Sequence, residues 1–347
     1  MALGFRWRRR FPAALAAALI LAFAGPAFAG GSAVVFMYHR FGQTTHPSTN
    51  TTIAQLDAHI AELTSGRYAV LPLPEIVAAI REARDLPDRT VGLSVDDAFL
   101  SLYTEGWPRF RKAGLPLTLF VATGAIDRGY RNYMSWNRIR ELAAAGVTIG
   151  SQTDTHPHMP VLSPEANAAE LARSNERFER ELGKRPSLFA YPFGENSRAV
   201  RGVVERAGFV AAFGQHSGVL YPGADRFFLP RFAMNEAYGS ASRFRLAANA
   251  LPIEARDIAP ADPLLSPGTN PPDFAFTVTG AALRSLASIA CYASGQGRAS
   301  VNRLGEDRVA VRVEKAFPPG RARINCTMPA GDGRWRWFGM QFYVPRP

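Results

Sequence analysis

The chain has 347 residues, 47% of them apolar and 20% charged, with 40 Lys and Arg against 29 Asp and Glu for a formal charge of +11. That length admits one large domain plus a small one. The basic balance suits anionic envelope polymers or a membrane surface, whereas arginines scattered along the chain rather than gathered in a stripe argue against nucleic acid.

In chain order, the first element is a targeting segment. Arg6, Arg8, Arg9 and Arg10 precede an apolar run from Phe11 to Ala24, and Pro26-Ala27-Phe28-Ala29 follows. Charged, then apolar, then small residues is the order of a secretory signal, with cleavage expected after Ala29. The alternative is a membrane anchor, which needs roughly 20 uninterrupted apolar residues, more than this run supplies. The paired arginines also permit a twin-arginine route. Losing residues 1–29 removes four arginines and no acid, so the charge falls from +11 to +7. The mature protein is expected in the periplasm or outside the cell, without a stable membrane span.

From residue 30 to 251, short apolar runs alternate with segments of helical period, the pattern of β-α units around a mostly parallel sheet. Strands are predicted at 34–38, 69–71, 91–95, 117–121, 147–150, 188–191 and 210–213. Helices are predicted at 53–63, 73–81, 103–113, 135–145, 164–182 and 197–207. Ser163 before Pro164 reads as an N-cap, and Gly146 and Gly208 stand where helix C-caps need them. Residues 252–273 carry Pro252, Pro260, Pro263, Pro267, Pro271 and Pro272 and read as a linker.

Residues 274–347 read as a small all-β sandwich-like unit, with runs at 274–278, 288–293, 308–313, 321–326 and 335–343 between Gly, Asp and Asn turns. Cys291 and Cys326 both lie there. In an oxidising compartment they suggest a disulfide; two buried thiols are the alternative. In Arg334-Trp335-Arg336-Trp337-Phe338 the period of two puts the tryptophans on one face, for core packing or for stacking on sugars.

Four segments carry chemistry. Leu93-Ser94-Val95-Asp96-Asp97-Ala98-Phe99 is an apolar strand ending in two carboxylates, at the end where α/β active sites lie. One aspartate could cap the next helix, but two in one cap would repel each other unless a cation lies between them. Gly150-Ser151-Gln152-Thr153-Asp154-Thr155-His156-Pro157-His158 brings imidazoles and a carboxylate past another strand, donors that suit a divalent metal such as zinc. Phe189-Ala190-Tyr191-Pro192-Phe193-Gly194-Glu195 is a strand leaving through a Pro-x-Gly turn, and Gly214-Gln215-His216-Ser217-Gly218 sets a histidine among small residues after the last strand.

In this order the segments resemble the polysaccharide deacetylases of carbohydrate esterase family 4, over about residues 34–251. The resemblance implies a distorted (β/α) barrel and hydrolysis of N-acetyl groups on a glycan that contains N-acetylglucosamine. Val35–Arg40 looks like the first strand of members acting on poly-N-acetylglucosamine. Asp96-Asp97 is similar to the family's Asp-Asp pair, which implies Asp96 as general base and Asp97 as metal ligand. His156 matches the second histidine of the family's metal motif, but Gln152 stands where the first should be. A glutamine carbonyl holds zinc less tightly than imidazole, and His158 or Asp154 are possible substitutes. Tyr191–Gly194 resembles the motif whose backbone holds the oxyanion, which assigns that N–H to Phe193. The arginine many members place before this motif is replaced by Ala190, and Arg231 is the candidate to orient the base. His216 falls where the family supplies the general acid. Two other readings stay open: a glycan-binding module that has kept the fold without activity, and hydrolysis of a different carbon–nitrogen bond.

Overall fold

A computed structural model describes residues 1–4 and 31–346. The expected targeting segment therefore lies, apart from its first four residues, outside the described residues.

The first layer is a parallel sheet in the order Phe232–Ala233, Ala33–Tyr38, Thr90–Asp96, Thr118–Val121, Thr148–Ser151, Leu188–Ala190, Ala211–Phe213. Ala69–Val70 pairs with the start of Thr90–Asp96, while Thr118–Val121 pairs with its end, Ser94 to Asp96. Every residue of Ala33–Tyr38 and Thr90–Asp96 is buried, as expected of strands covered on both faces. Residues 226–231 hydrogen-bond to residues 212–216 before continuing into Phe232–Ala233, which pairs with Phe36 and Met37. This stretch joins the last strand to the first, so the sheet closes as a distorted barrel.

Local chemistry explains the helices around it. Thr52 and Gln55 form a reciprocal capping box at the start of Ile53–Leu63. Ser163 caps Pro164–Leu182, which ends on the left-handed Gly183. Gly146 and Gly208 also have positive φ, as C-cap positions require. Residues 103–113, expected as one helix, divide into a π turn at Leu102–Gly106 and the helix Trp107–Lys112. Pro108 lacks the N–H that a regular helix would use there.

The second layer is an eight-stranded sheet built from Leu251–Pro252, Trp335–Val344, Gly320–Pro329, Ala290–Ala293, Gly297–Leu304, Arg308–Arg312, Phe274–Thr279 and Glu254–Ala259, in that order. Phe274 and Phe276 lie five strands from Phe338 and Phe342, yet their rings meet at 4.8–6.2 Å. The sheet must therefore fold over its own apolar face. Cys291 and Cys326 face each other across neighbouring strands and form a disulfide. Residues 252–273 are more than a linker, since Glu254–Ala259 is an edge strand and Leu265 N–H bonds Tyr343 O. Prolines are compatible with such an edge.

The two layers share one core. Phe189, Tyr191 and Val203 cluster with Ile253, Phe274 and Phe342, and Leu251–Pro252 pairs with Arg336–Trp337. Trp337 packs edge-on against Phe232 at 5.2 Å, so it belongs to this seam, while Trp335 is 41% exposed.

Candidate active site

The carboxyl ends of the parallel strands gather the sequence-predicted residues on one face of the barrel. Asp96 closes its strand with a side chain fully buried beside an equally buried Arg231. Arg231 Nη1 donates to Asp96 Oδ1 at 2.7 Å and Nη2 to Oδ2 at 2.9 Å, a bidentate pair. The remaining Arg231 donors reach Ser94 Oγ and Gly214 O, and its cation lies 5.3 Å from the Phe120 ring. His39 Nε2 stands 3.9 Å from Asp96 Oδ2, near enough for a field but too far for a hydrogen bond.

Asp97 points elsewhere because the backbone turns over at this point, with φ of 73° at Asp97 and 57° at Ala98. Its N–H donates to Gln152 Oε1 at 3.2 Å. Its Oδ1 is buried without a hydrogen-bond partner and lies 3.4 Å from His156 Nε2. Burial, with Asp96 adding repulsion, pushes the Asp97 carboxyl up to about 6. Burial also pushes His156 down to about 4, so its imidazole is neutral at pH 7.

The two suggested substitutes for the missing histidine are engaged elsewhere. Asp154 accepts from Thr123 Oγ1 and pairs with Arg173. His158 bonds Glu195 at 2.7 Å and stacks on the Phe193 ring at 4.4 Å. Phe193 has a left-handed φ of 58°, and the turn's own bonds run from Gly194 N–H to Tyr191 O and from Glu195 N–H to Pro192 O.

His216 stands behind this centre, its ring 4.4 Å from Phe228 and its Nδ1 buried without a partner. No hydrogen bond joins the ring to Asp96, Asp97 or His156 among the described residues. Its backbone O accepts from Arg231 N–H at 2.9 Å. Burial, then the charges of Arg323 and Arg231, push it down to about 3. It also lines a cavity of about 220 Å³ at the seam, with Tyr221, Phe228, Trp337 and Met340.

Sequence reasoning missed the contribution of the second layer. Arg321 Nη1 donates to Phe193 O and Gln215 Oε1, each at 3.3 Å, and Gln341 Nε2 donates to Phe193 O at 3.1 Å. Arg323 Nε donates to Gln215 O at 3.2 Å. Strand period two could have put Arg321 and Arg323 on one face, but nothing local says what that face meets.

Among the described residues no group of three His, Cys, Asp or Glu side chains is placed to hold a metal ion. Asp97 and His156 nevertheless fit one, because a buried carboxylate oxygen without a donor faces a neutral imidazole. Gln152 Oε1, engaged by Asp97 N–H, keeps a second lone pair for a third contact.

Residues 83–212 match the family model named Polysaccharide deacetylase. Among curated proteins, the chain is similar to the putative polysaccharide deacetylase YxkH of Bacillus subtilis, 22% identical over 175 residues, 50% of this chain and 61% of that one. It is also similar to a poly-β-1,6-N-acetyl-D-glucosamine N-deacetylase of Staphylococcus aureus, 21% identical over 53% of this chain and 67% of that one. Among solved structures, the Streptococcus pyogenes deacetylase PplD in complex with acetate superposes with a TM-score of 0.58 at 18% identity, covering 63% of this chain and 99% of that one. IcaB from Ammonifex degensii gives 0.57 at 24% identity, covering 64% and 98%. At these identities the structural likeness establishes the fold.

Proposed function

We propose that the chain is an exported, metal-dependent deacetylase that hydrolyses N-acetyl groups of a glycan containing N-acetylglucosamine, with residues 30–251 as its catalytic domain. The observation that carries this reading is the split between two adjacent aspartates. Asp96 is clamped by Arg231, while Asp97 turns to His156 with an oxygen left free. Similarity to the S. aureus poly-β-1,6-N-acetyl-D-glucosamine N-deacetylase supports the substrate class. Export rests on the charged, apolar, small-residue order of residues 6–29.

Asp96 acts as general base, because each of its oxygens keeps a lone pair beyond the one given to Arg231. It takes a proton from the water that attacks the acetyl carbonyl, and Arg231 fixes the plane in which it does so. The Phe193 N–H, outside the turn's own bonds, donates to the oxyanion. The amine leaving group needs a proton. We assign this delivery to His216, which is neutral at rest and would first have to take up the proton that Asp96 removes from water, then give it to the amine from the imidazolium. Acetate and a free amine result. Asp97, His156 and Gln152 would hold a divalent cation such as zinc, which would supply Lewis acidity at the carbonyl and acidify water.

A second reading has its own observation: Gln152 already serves Asp97 N–H, which suits a glycan-binding module without activity. Metal content and acetate release from N-acetylglucosamine oligomers decide between the two, with Asp97→Ala and His156→Ala as controls. Bound metal and acetate release, both lost in the controls, support the enzyme. Glycan binding without acetate release under added zinc, cobalt or nickel supports the binding module.

A further inference from the structure

Two guanidinium groups without a salt bridge to any carboxylate among the described residues sit at the rim of this site, with only the field of Glu195 reaching Arg321. Arg321 and Arg323 alternate along Gly320–Pro329 and leave it on the same face. Their hydrogen bonds end on neutral oxygens, Phe193 O, Gln215 Oε1 and Gln215 O, and neither pairs with an Asp or Glu among the described residues. Glu195, the acid of the neighbouring turn, is taken by His158. Arg323 is half-buried, and burial together with the charge of Arg321 lowers its pKa to about 10. Placing two like charges together, one of them out of water, is unfavourable unless an anion joins them.

The position of the pair narrows what that anion is. The Arg321 guanidinium lies 5.7 Å from the Phe193 ring, and the same ring meets His156 at 4.5 Å. Arg321 is thus one aromatic ring away from the reacting centre, the reach of an adjoining sugar rather than of the acetyl group, and Arg323 follows it along the same strand face. Arg40, which follows the first strand, is also without an ion pair among the described residues and lies in the field of Asp97. Guanidinium forks suit the planar oxygens of carboxylate and the oxygens of phosphate.

We infer that the site takes an anionic glycan, in which the sugar beside the N-acetylhexosamine bears a carboxylate or phosphate bound by Arg321 and Arg323. This rests on the deacetylase reading for the reacting sugar, and its test does not require turnover. The mature protein is titrated, by calorimetry at low and high salt, with three probes: a neutral β-1,4 N-acetylglucosamine oligomer, an alternating glucuronate–N-acetylglucosamine oligomer, and a phosphodiester-linked N-acetylglucosamine polymer. Acetate release from each is followed in parallel. One or both charged probes should bind more tightly than the neutral one, and the advantage should shrink with salt. The two charged arms distinguish carboxylate from phosphate. Arg321→Gln and Arg323→Gln should each cut the charged-to-neutral affinity ratio about tenfold, as expected for losing one charge-assisted contact, while Arg323→Lys keeps part of it. Equal affinity for all three probes, or a ratio unmoved in both glutamine variants, overturns the inference even if acetate is released. Charged-probe preference without acetate release supports this anion site and instead removes the deacetylase reading.

Discussion

Asp96 and Asp97 are neighbours in sequence with opposite surroundings. Around Asp96 both carboxylate oxygens are matched by Arg231, whose other donors are used as well. Around Asp97 the polar atoms do not close: Asp97 Oδ1 and Gln152 Nε2 are buried without partners. Left-handed backbone collects there too, at Asp97, Ala98, Thr153, His156 and Phe193. Buried unmatched atoms and strained backbone each cost free energy and persist where function requires them. One half fixes Asp96 through a bidentate pair, and the other leaves the buried polar atoms around Asp97 unmatched.

The hardest blow to the satisfied half is Arg231→Ala, which leaves the Asp96 carboxylate buried and unpaired. Stability should fall by about 3–5 kcal/mol, read from urea unfolding. Acid attacks the same side more gradually. His216, with His59 beneath the first strand, is buried with its pKa lowered, to about 3 and about 4 respectively. Both stay neutral when folded but protonate near pH 6.5 when unfolded. The stability that these two histidines contribute is therefore fully present above pH 6.5 and declines as pH falls toward 4, by about 1.4 kcal/mol per pH unit for each. Thermal unfolding against pH checks the slope, which should weaken in His59→Gln. The smallest change sharpens the unsatisfied half: Gln152→His replaces a neutral amide oxygen with imidazole and should tighten zinc binding at least about tenfold by calorimetry, while losing the bond to Asp97 N–H costs about 1 kcal/mol of apo stability.

Much of the barrel is legible in the sequence because its strands are continuous apolar runs and its helices carry local stops. Pro164–Leu182 is bounded by Ser163 and Gly183 without help from tertiary contacts. Gly297–Leu304 escapes notice because its residues are mostly exposed and polar, and it forms by pairing with Ala290–Ala293 and Arg308–Arg312. Glu254–Ala259 is hidden by surrounding prolines, which mimic a linker where an edge strand also tolerates them. The same division holds at the site. Motif spacing points to Asp96, Asp97, His156 and Phe193, all delivered by strand ends on one side of the same sheet. Arg321 and Gln341 reach Phe193 across 128 and 148 residues, a proximity that only the packing of the two layers creates.

Closure of the barrel also ties its topology to its charge balance. Arg231 belongs to the stretch that ties the last strand to the first, 135 residues after the carboxylate it neutralises. Without this stretch the wall beside Asp96 would be open, and water would solvate the carboxylate. The final stave brings the counter-charge and excludes the water in the same movement. Completion of the ring and neutralisation of Asp96 thus depend on the same stretch of chain.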